Sequence, residues 1–205
     1  KKGFLLVDSG ATYMDGTTDI TRTYPLGPLT EDEKRFYTWT LQSHIDLAKA
    51  VWLDYCECKM IDTIAREPLW RHLINYRCGT GHSVSFVGNV HEGPHALNSR
   101  NTTRMRPGMV VTDEPGVYET DLVGIRIENE LVCVHKADNQ YGTFLGFEPL
   151  MFVPIATSPI LPGVLDKDEI AWLNDYHRQV FAKLAPHLND EERSWLAEKC
   201  AAIGC

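Results

Sequence analysis

The fold is decided by Phe4-Leu-Leu-Val7 and Asp19-Ile-Thr-Arg-Thr-Tyr24, two runs joined by the polar stretch 8–18. The first run is short and apolar, which predicts a buried strand. The second alternates and is rich in β-branched residues, which predicts the strand that returns beside it. The polar stretch, with its two glycines, is interpreted as the hairpin connection. Asp8 follows the first strand and Asp19 opens the second, so we expect two carboxylates on neighbouring strands.

Helices and further strands follow the hairpin. Thr30 with Glu33 three residues on is a capping box, which predicts the start of a helix. A second helix is predicted at about 60–70 and a helical tail at 167–203, with strands near 82–87, 109–112, 125–134 and 147–155. We find no repeat and no Gly/Ser linker. Residues 1–205 are therefore predicted to form one α+β domain, with helices outside a curved, mostly antiparallel sheet.

The composition excludes several classes of partner. The chain has 205 residues, of which 43% are hydrophobic and 23% charged, as in an ordinary globular domain. Its net charge is −8, and it lacks the basic stripe of a nucleic-acid binder. No apolar run approaches the ~18 residues of a membrane span. The six cysteines form no CxxC pair, so we expect free thiols, a cytoplasmic location, and neither nucleic acid nor membrane as a partner.

Four carboxylates and one imidazole occupy strand-like segments that can converge on one point of a sheet. Taken singly, each is more often a turn or surface residue. Clustered and buried carboxylates repel one another and are stable only beside cations, which predicts two divalent metal ions with Arg126 balancing the remaining charge. Oxygen ligands with one histidine suit Mn(II), Fe(II), Co(II) or Zn(II), and such a pair activates water for peptide or ester hydrolysis. The five candidates are Asp8, Asp19, His82, Glu114 and Glu128.

Five motifs occur in an order typical of one family. Together they resemble the pita-bread metallopeptidases, which include methionine aminopeptidase, prolidase, creatinase and aminopeptidase P. The resemblance covers nearly the whole chain and implies the pita-bread fold. The motifs are Leu6-Val-Asp8-Ser-Gly10-Ala-Thr-Tyr13 with Thr18-Asp19-Ile-Thr-Arg-Thr23, Gly79-Thr-Gly-His82, Asn89-Val-His-Glu-Gly-Pro94, Met109-Val-Val-Thr-Asp-Glu-Pro-Gly116 and Gly124-Ile-Arg-Ile-Glu-Asn129.

Two features resemble the aminopeptidase P branch, in its long three-domain form. One is Asn89-Val-His-Glu-Gly-Pro94, and the other is the tail that starts at Phe147-Glu-Pro-Leu150. We interpret 147–205 as the C-terminal extension of that branch. The resemblance implies hydrolysis of the N-terminal Xaa-Pro bond of a peptide with proline second. A prolidase-type dipeptidase is the alternative, and a metal-binding module of little activity is a further one.

The resemblance also implies a role for each site residue. Asp8 would chelate one metal, Asp19 and Glu128 would bridge both, and the second metal would be completed by His82 and Glu114. A water or hydroxide would bridge the two ions, which are expected to be Mn(II), with Co(II) or Zn(II) as alternatives. His91 would face the substrate carbonyl and Arg126 would pair with the ligand carboxylates. We interpret His95 as structural.

Two departures from the family pattern accompany these matches. Cys78 stands four residues before His82, where long aminopeptidases P often carry a histidine that contacts substrate. The family also has a proton-relay histidine upstream of the first aspartate, and only seven residues precede Asp8. We therefore expect that the first part of the domain is missing from these residues and that catalysis is weakened. The exposed faces would favour a homodimer.

Overall fold

A computed structural model of the chain describes residues 1–204. Two helices lie among the first three strands, seven strands then follow in succession, and two helices joined by a 3₁₀ turn at Ala185–His187 come last. The strands are β1 (Phe4–Tyr13), β2 (Gly16–Pro25), β3 (Val51–Leu53), β4 (Gly81–His82), β5 (Ala96–Leu97), β6 (Val110–Asp113), β7 (Gly116–Glu119), β8 (Val123–Arg126), β9 (Asn129–Asn139) and β10 (Gly142–Pro149). The helices are α1 (Glu31–Ala48), α2 (Cys58–Trp70), α3 (Lys167–Leu184) and α4 (Asp190–Lys199).

Every strand pair within the described residues is antiparallel. The largest sheet has four strands in the order β3-β10-β9-β6. The pairs β1-β2, β4-β5 and β7-β8 form separate two-stranded ladders around it. A bulge between Phe144 and Leu145 interrupts the β9-β10 ladder, and such bulges bend and twist a sheet.

The helices α1, α3 and α4 begin where a local side chain satisfies one of their first backbone N–H groups. Thr30 caps α1 as predicted, and its side chain and that of Glu33 form the reciprocal capping box. Asp166 with Glu169 forms the same arrangement on α3, and Asn189 does so on α4. Each cap supplies a partner for an N–H that would otherwise have none. None of the helices in the described part of the chain is long and apolar enough to cross a bilayer.

The core divides into two main clusters, and α1 contributes residues to both. One lies between α2 and the four-stranded sheet, and includes Ile61, Val111 and Leu131. The other joins α1 to α3 and includes Leu41 and Leu173. The helices therefore cover the outside of the sheets, and the opposite, inner surface is left to polar side chains.

Arg22 connects the first hairpin to the C-terminal part of the chain, and it is only 3% exposed. Its guanidinium donates to the carbonyl oxygens of Thr21, Glu128, Val153 and Pro154, to Asn129 Oδ1 and to the Tyr176 hydroxyl. Arginine offers five N–H donors in a fixed plane, so one buried side chain can satisfy acceptors from several separated stretches.

Several predicted boundaries are wrong. The stretch 8–18 is not a loop, because β1 runs to Tyr13 and β2 starts at Gly16. Ladder hydrogen bonds to the partner strand override the polar character of these residues. The strands expected at 82–87 and 147–155 stop at His82 and Pro149, the strand at 125–134 is two strands, and the tail is two helices.

Candidate metal centre

The first hairpin presents its polar side chains on one face. Asp8 lies directly opposite Thr21, and Gly10 lies opposite Asp19. Opposed residues in an antiparallel pair point to the same side of the sheet, so the two carboxylates are diagonal neighbours on that side. A Cβ on Gly10 would lie 2.6 Å from the carbonyl oxygen of Thr18, which explains why a residue without a side chain stands between them.

His82 is positioned by close packing of β4 against β6. A Cβ on Gly81 would overlap the carbonyl oxygen of Thr112, so only glycine allows this approach. The Thr112 hydroxyl accepts a hydrogen bond from the backbone N–H of His82 at 3.0 Å. His82 Nδ1 lies 3.1 Å from the Ser83 carbonyl oxygen, which can only accept, so that nitrogen carries the proton in the neutral ring.

The other ring nitrogen of His82 faces two carboxylates. Its Nε2 is 3.4 Å from Asp19 Oδ2 and 3.3 Å from Glu114 Oε1. In the neutral ring this nitrogen holds a lone pair, and carboxylate oxygens also only accept hydrogen bonds. Three acceptors directed at one point require a cation between them, either a proton on the ring or a metal ion.

Glu128 lies at the break between β8 and β9, where the chain leaves one partner strand for another. Its side chain is 2% exposed, and its Oε2 accepts a hydrogen bond of 2.5 Å from the Thr21 hydroxyl. The backbone N–H of Glu128 donates to the carbonyl oxygen of Thr21 at 3.0 Å. The hairpin therefore holds Glu128 through both its main chain and its side chain.

Arg126 forms hydrogen bonds with several side chains around the cluster. Its Nη2 donates to Asp8 Oδ2 and its Nη1 donates to the Tyr118 hydroxyl at 2.6 Å. Its Nε donates to the Thr21 hydroxyl at 3.0 Å and lies 3.8 Å from Glu128 Oε2. The arginine is thus the cation beside the carboxylates, as the sequence indicates.

His91 lies beside His82 at the open side of the cluster. The two rings meet edge to face, with their centroids 4.0 Å apart. His91 is exposed, and it lines the cavity into which the cluster opens. That cavity has a volume of about 650 Å³, and all seven residues predicted from the sequence line it: Asp8, Asp19, His82, His91, Glu114, Arg126 and Glu128.

The negative charges of the clustered carboxyl groups repel one another, and this repulsion affects their pKa values. Burial, together with the negative charges of Glu114 and Asp19, raises the pKa of Glu128 to about 8, although Thr21 and Arg126 act in the opposite direction. Burial also raises the pKa of Glu114. For His82, burial lowers the pKa, but Asp19, Ser83 and Glu114 outweigh burial and raise it. A divalent cation among these groups would relieve the repulsion, so the donor set fits a metal centre.

The five predicted ligands are not equally close together. Ligand atoms of Asp19, His82 and Glu128 all lie within 4.8 Å of one another. Glu114 joins them through its contact with His82. Asp8 is held by Arg126 instead, and its side chain is 52% exposed. All five face one cavity, and their roles as ligands stay a prediction.

Three further residues take part that sequence reasoning missed. Thr21 joins Glu128 to Arg126, Thr112 donates to Glu114 Oε1 at 2.9 Å, and Tyr118 pairs with Arg126. The participation of Thr21 could have been predicted, because it lies two residues after Asp19 on a strand and therefore points to the same face. Cys78 lies nearby, and its Sγ donates to the carbonyl oxygen of Gly116 at 3.7 Å.

Known proteins resemble this chain over almost its whole length. A family model described as metallopeptidase family M24 matches residues 1–135, and one described as the C-terminal region of peptidase M24 matches residues 143–203. Aminopeptidase P1 of Lotus japonicus is 42% identical over 205 residues, which are 97% of this chain and 31% of that protein. The chain thus spans about a third of the length of the relatives it matches.

Solved structures agree with the sequence comparison. The X-prolyl aminopeptidase of Caenorhabditis elegans, described as a cytosolic enzyme with a di-nuclear active site, has a TM-score of 0.92 and 39% identity, over 98% of this chain and 34% of that one. A prolidase from Pyrococcus furiosus has a TM-score of 0.62 and 28% identity, and the match covers 73% of this chain and 42% of the prolidase. The expected pita-bread fold and the family resemblance are confirmed. The chain belongs to metallopeptidase family M24.

Proposed function

We propose that the protein removes the N-terminal residue of peptides whose second residue is proline, with two divalent metal ions. The observation that carries this proposal is the single cavity lined by all seven predicted site residues. The names of its relatives support the choice of reaction, because the plant protein is an aminopeptidase P and the nematode enzyme is an X-prolyl aminopeptidase.

The metal ions would be held by the carboxylates of the hairpin and of β6–β9 together with His82. When bound, two such ions polarise a peptide carbonyl and provide a nucleophile at neutral pH. Mn(II) suits the oxygen-rich donor set, and Co(II) and Zn(II) are accepted by the same ligand types. Asp19 and Glu128 are the proposed bridging residues, since both lie in the group whose ligand atoms are within 4.8 Å.

His91 and Arg126 supply the other functions of the site. His91 lines the cavity beside His82, where its ring can donate a hydrogen bond to the carbonyl oxygen of a bound peptide. Such a donor stabilises the charge that develops on that oxygen during attack. Arg126 donates directly to Asp8 and is linked to Glu128 through Thr21, so its proposed role is to orient both carboxylates.

The similarity to the same relatives supports proposals on the location, the partners and the domain organisation of this protein. We propose a cytoplasmic location, since the nematode enzyme is described as cytosolic. The proposed partner is a peptide substrate with proline second. Residues 147–205 are proposed to be the C-terminal extension of the aminopeptidase P branch, and a model of a C-terminal region matches 143–203. The homodimer stays a prediction.

The test is a cleavage assay on the chain loaded with Mn(II), Co(II) or Zn(II). We expect the chain to release alanine from Ala-Pro-Ala and to leave the remaining Pro-Ala uncleaved. Mass spectrometry detects both products. Asp19→Ala is expected to abolish release. Asp138→Ala, at an exposed position in the β9–β10 hairpin, serves as the matched control and is expected to retain it. Cleavage of Ala-Pro alone would indicate a prolidase instead, and no release with any of these metals would contradict the proposal.

A further inference from the structure

A second cavity adjoins the metal centre. Its volume is about 700 Å³, and it shares Thr17 and Thr18 of the first hairpin with the cavity described above. The tip of the hairpin, the loop after His82 and the start of β6 surround it. None of the residues assigned to metal binding or catalysis lines this second cavity, so its polar groups are free for another purpose.

Glu130 lines this cavity and has no cation beside it. It lies two residues after Glu128, which on an extended strand places both side chains on the same face. The residue is 4% exposed, and its Oε1 has no hydrogen-bond partner among the described residues. No basic side chain in the described part of the chain comes within 4.0 Å of its carboxyl group. The backbone N–H of Asp19 bonds to this carboxyl group, but Oε1 stays without a partner. A buried carboxyl oxygen without a partner is costly, so its retention needs a reason.

His95 provides a second free acceptor in the same cavity. It is 9% exposed, and its Nε2 lies 2.7 Å from the carbonyl oxygen of Val110. A carbonyl oxygen only accepts hydrogen bonds, so Nε2 carries the proton and Nδ1 holds a lone pair. Nδ1 also has no partner among the described residues. A structural role for His95 accounts for the hydrogen bond of Nε2 but gives no partner to Nδ1.

The rest of the cavity wall is suited to a long side chain with a charged end. Tyr13, Phe86 and Met151 supply apolar surface, and Asp15 adds a carboxylate where the hairpin turns. No lysine or arginine lines the cavity. The wall therefore combines apolar contact area with acceptors and negative charge, and the side chains with a complementary structure are those of lysine and arginine.

We propose that this cavity binds the lysine or arginine side chain of a peptide substrate, next to the proline, with Glu130 and His95 as the acceptors for its cationic group. The proposal rests on the proposed function, because it assigns a substrate class to the same site. A neutral ligand of equal size would leave Glu130 Oε1 without a charged donor, so the cavity selects for charge rather than for length.

The experiment compares arginine with citrulline, which has nearly the same shape and no charge. Binding of Arg-Pro-Ala, Ala-Pro-Arg and their citrulline counterparts is measured by isothermal titration calorimetry on the metal-free chain. Hydrolysis of the same peptides and of Ala-Pro-Ala is measured after loading with Mn(II). We expect at least one arginine peptide to bind about tenfold or more tightly than its counterpart, as for a hydrogen bond to a charged group.

Variants separate this site from the metal centre. Glu130→Gln keeps the size of the side chain and is expected to reduce the preference to about twofold or less, with Ala-Pro-Ala still cleaved. Glu119→Gln, which is exposed and lines neither cavity, is expected to leave the preference unchanged. Circular dichroism confirms that each variant is folded, and the comparison of peptides on the unaltered chain needs no variant at all.

The outcomes distinguish the two proposals. Equal binding of arginine and citrulline peptides overturns the cationic subsite, whether or not the peptides are cleaved. A preference for arginine without cleavage of any peptide supports the subsite and rejects the proposed hydrolysis. A preference that Glu130→Gln leaves intact overturns the assignment of the subsite to Glu130. No binding of any peptide to the metal-free chain overturns the subsite, and absence of cleavage after loading with Mn(II) rejects the proposed hydrolysis separately.

Discussion

Replacing Thr21 by valine should weaken metal binding without emptying the site of ligands. The hydroxyl of Thr21 is fully buried, donates to Glu128 Oε2 at 2.5 Å and accepts from Arg126 Nε at 3.0 Å. Valine keeps the shape and removes both hydrogen bonds. Each bond to a charged group contributes about 1.5–3 kcal/mol, and loss of a group that orients a metal ligand typically costs about 10–100-fold in affinity. We therefore expect Mn(II) to bind about 10–100-fold more weakly, which corresponds to about 1.4–2.8 kcal/mol.

Thr23→Val is the matched control for this prediction. Thr23 lies on the same strand and face, is 1% exposed, and also bonds to Arg126, but only to its backbone N and O at 3.1 and 2.8 Å. Loss of the Thr23 hydroxyl should reduce stability as much as loss of the Thr21 hydroxyl. It should leave the affinity for Mn(II) within about twofold of that of the unaltered chain. Calorimetric titration with Mn(II) measures the affinity and urea unfolding measures the stability. If both variants bind Mn(II) equally well, the hydroxyl of Thr21 has no part in orienting Glu128 and the reasoning is refuted.

Three further predictions concern stability. Burial and the charge of Arg22 lower the pKa of His177 to about 4, so its stabilising contribution is complete above the unfolded pKa of about 6.5 and is lost as the pH falls towards 4. Between about pH 7 and pH 4.5 the loss is about 2–3 kcal/mol, and urea unfolding of His177→Gln should show a smaller decrease. Thr30→Ala removes the cap of α1 and should cost about 1 kcal/mol, measured by urea unfolding against the exposed Thr63→Ala. Leu131→Ala at a fully buried position should cost about 2–5 kcal/mol and lower the thermal midpoint, whereas a loss below about 1 kcal/mol would mean that the site collapses around the smaller side chain.

Local sequence signals predicted the parts of the structure that depend on neighbours in sequence. The capping box of Thr30 and Glu33 is present as expected, because its two hydrogen bonds span only three residues. The hairpin that carries Asp8 and Asp19 could be expected for a similar reason, since alternation and turn residues lie within one short stretch. The spacing of ordered motifs then placed His82, Glu114 and Glu128 in the same cavity.

Features that depend on distant contacts could not be predicted in this way. Tyr118 lies on β7 and meets Arg126 only because β7 and β8 pair. The free acceptors of Glu130 and His95 come from segments 35 residues apart along the chain, and neither belongs to a motif. The length of the first strand was underestimated because Asp8 and Gly10 lower the local tendency to form strands, while pairing with β2 stabilises the extended backbone there.

The contacts of Arg22 imply that the first hairpin and the C-terminal helix α3 unfold in one step. The guanidinium donates to the carbonyl oxygens of Glu128 and Val153 and to the hydroxyl of Tyr176. Opening either segment alone would leave buried N–H groups without acceptors, so the local opening of one requires that of the other. Amide protons of β2 and of α3 should therefore exchange with solvent at a common opening free energy. A ligand that stabilises the hairpin would then slow exchange in a helix far from the cavity.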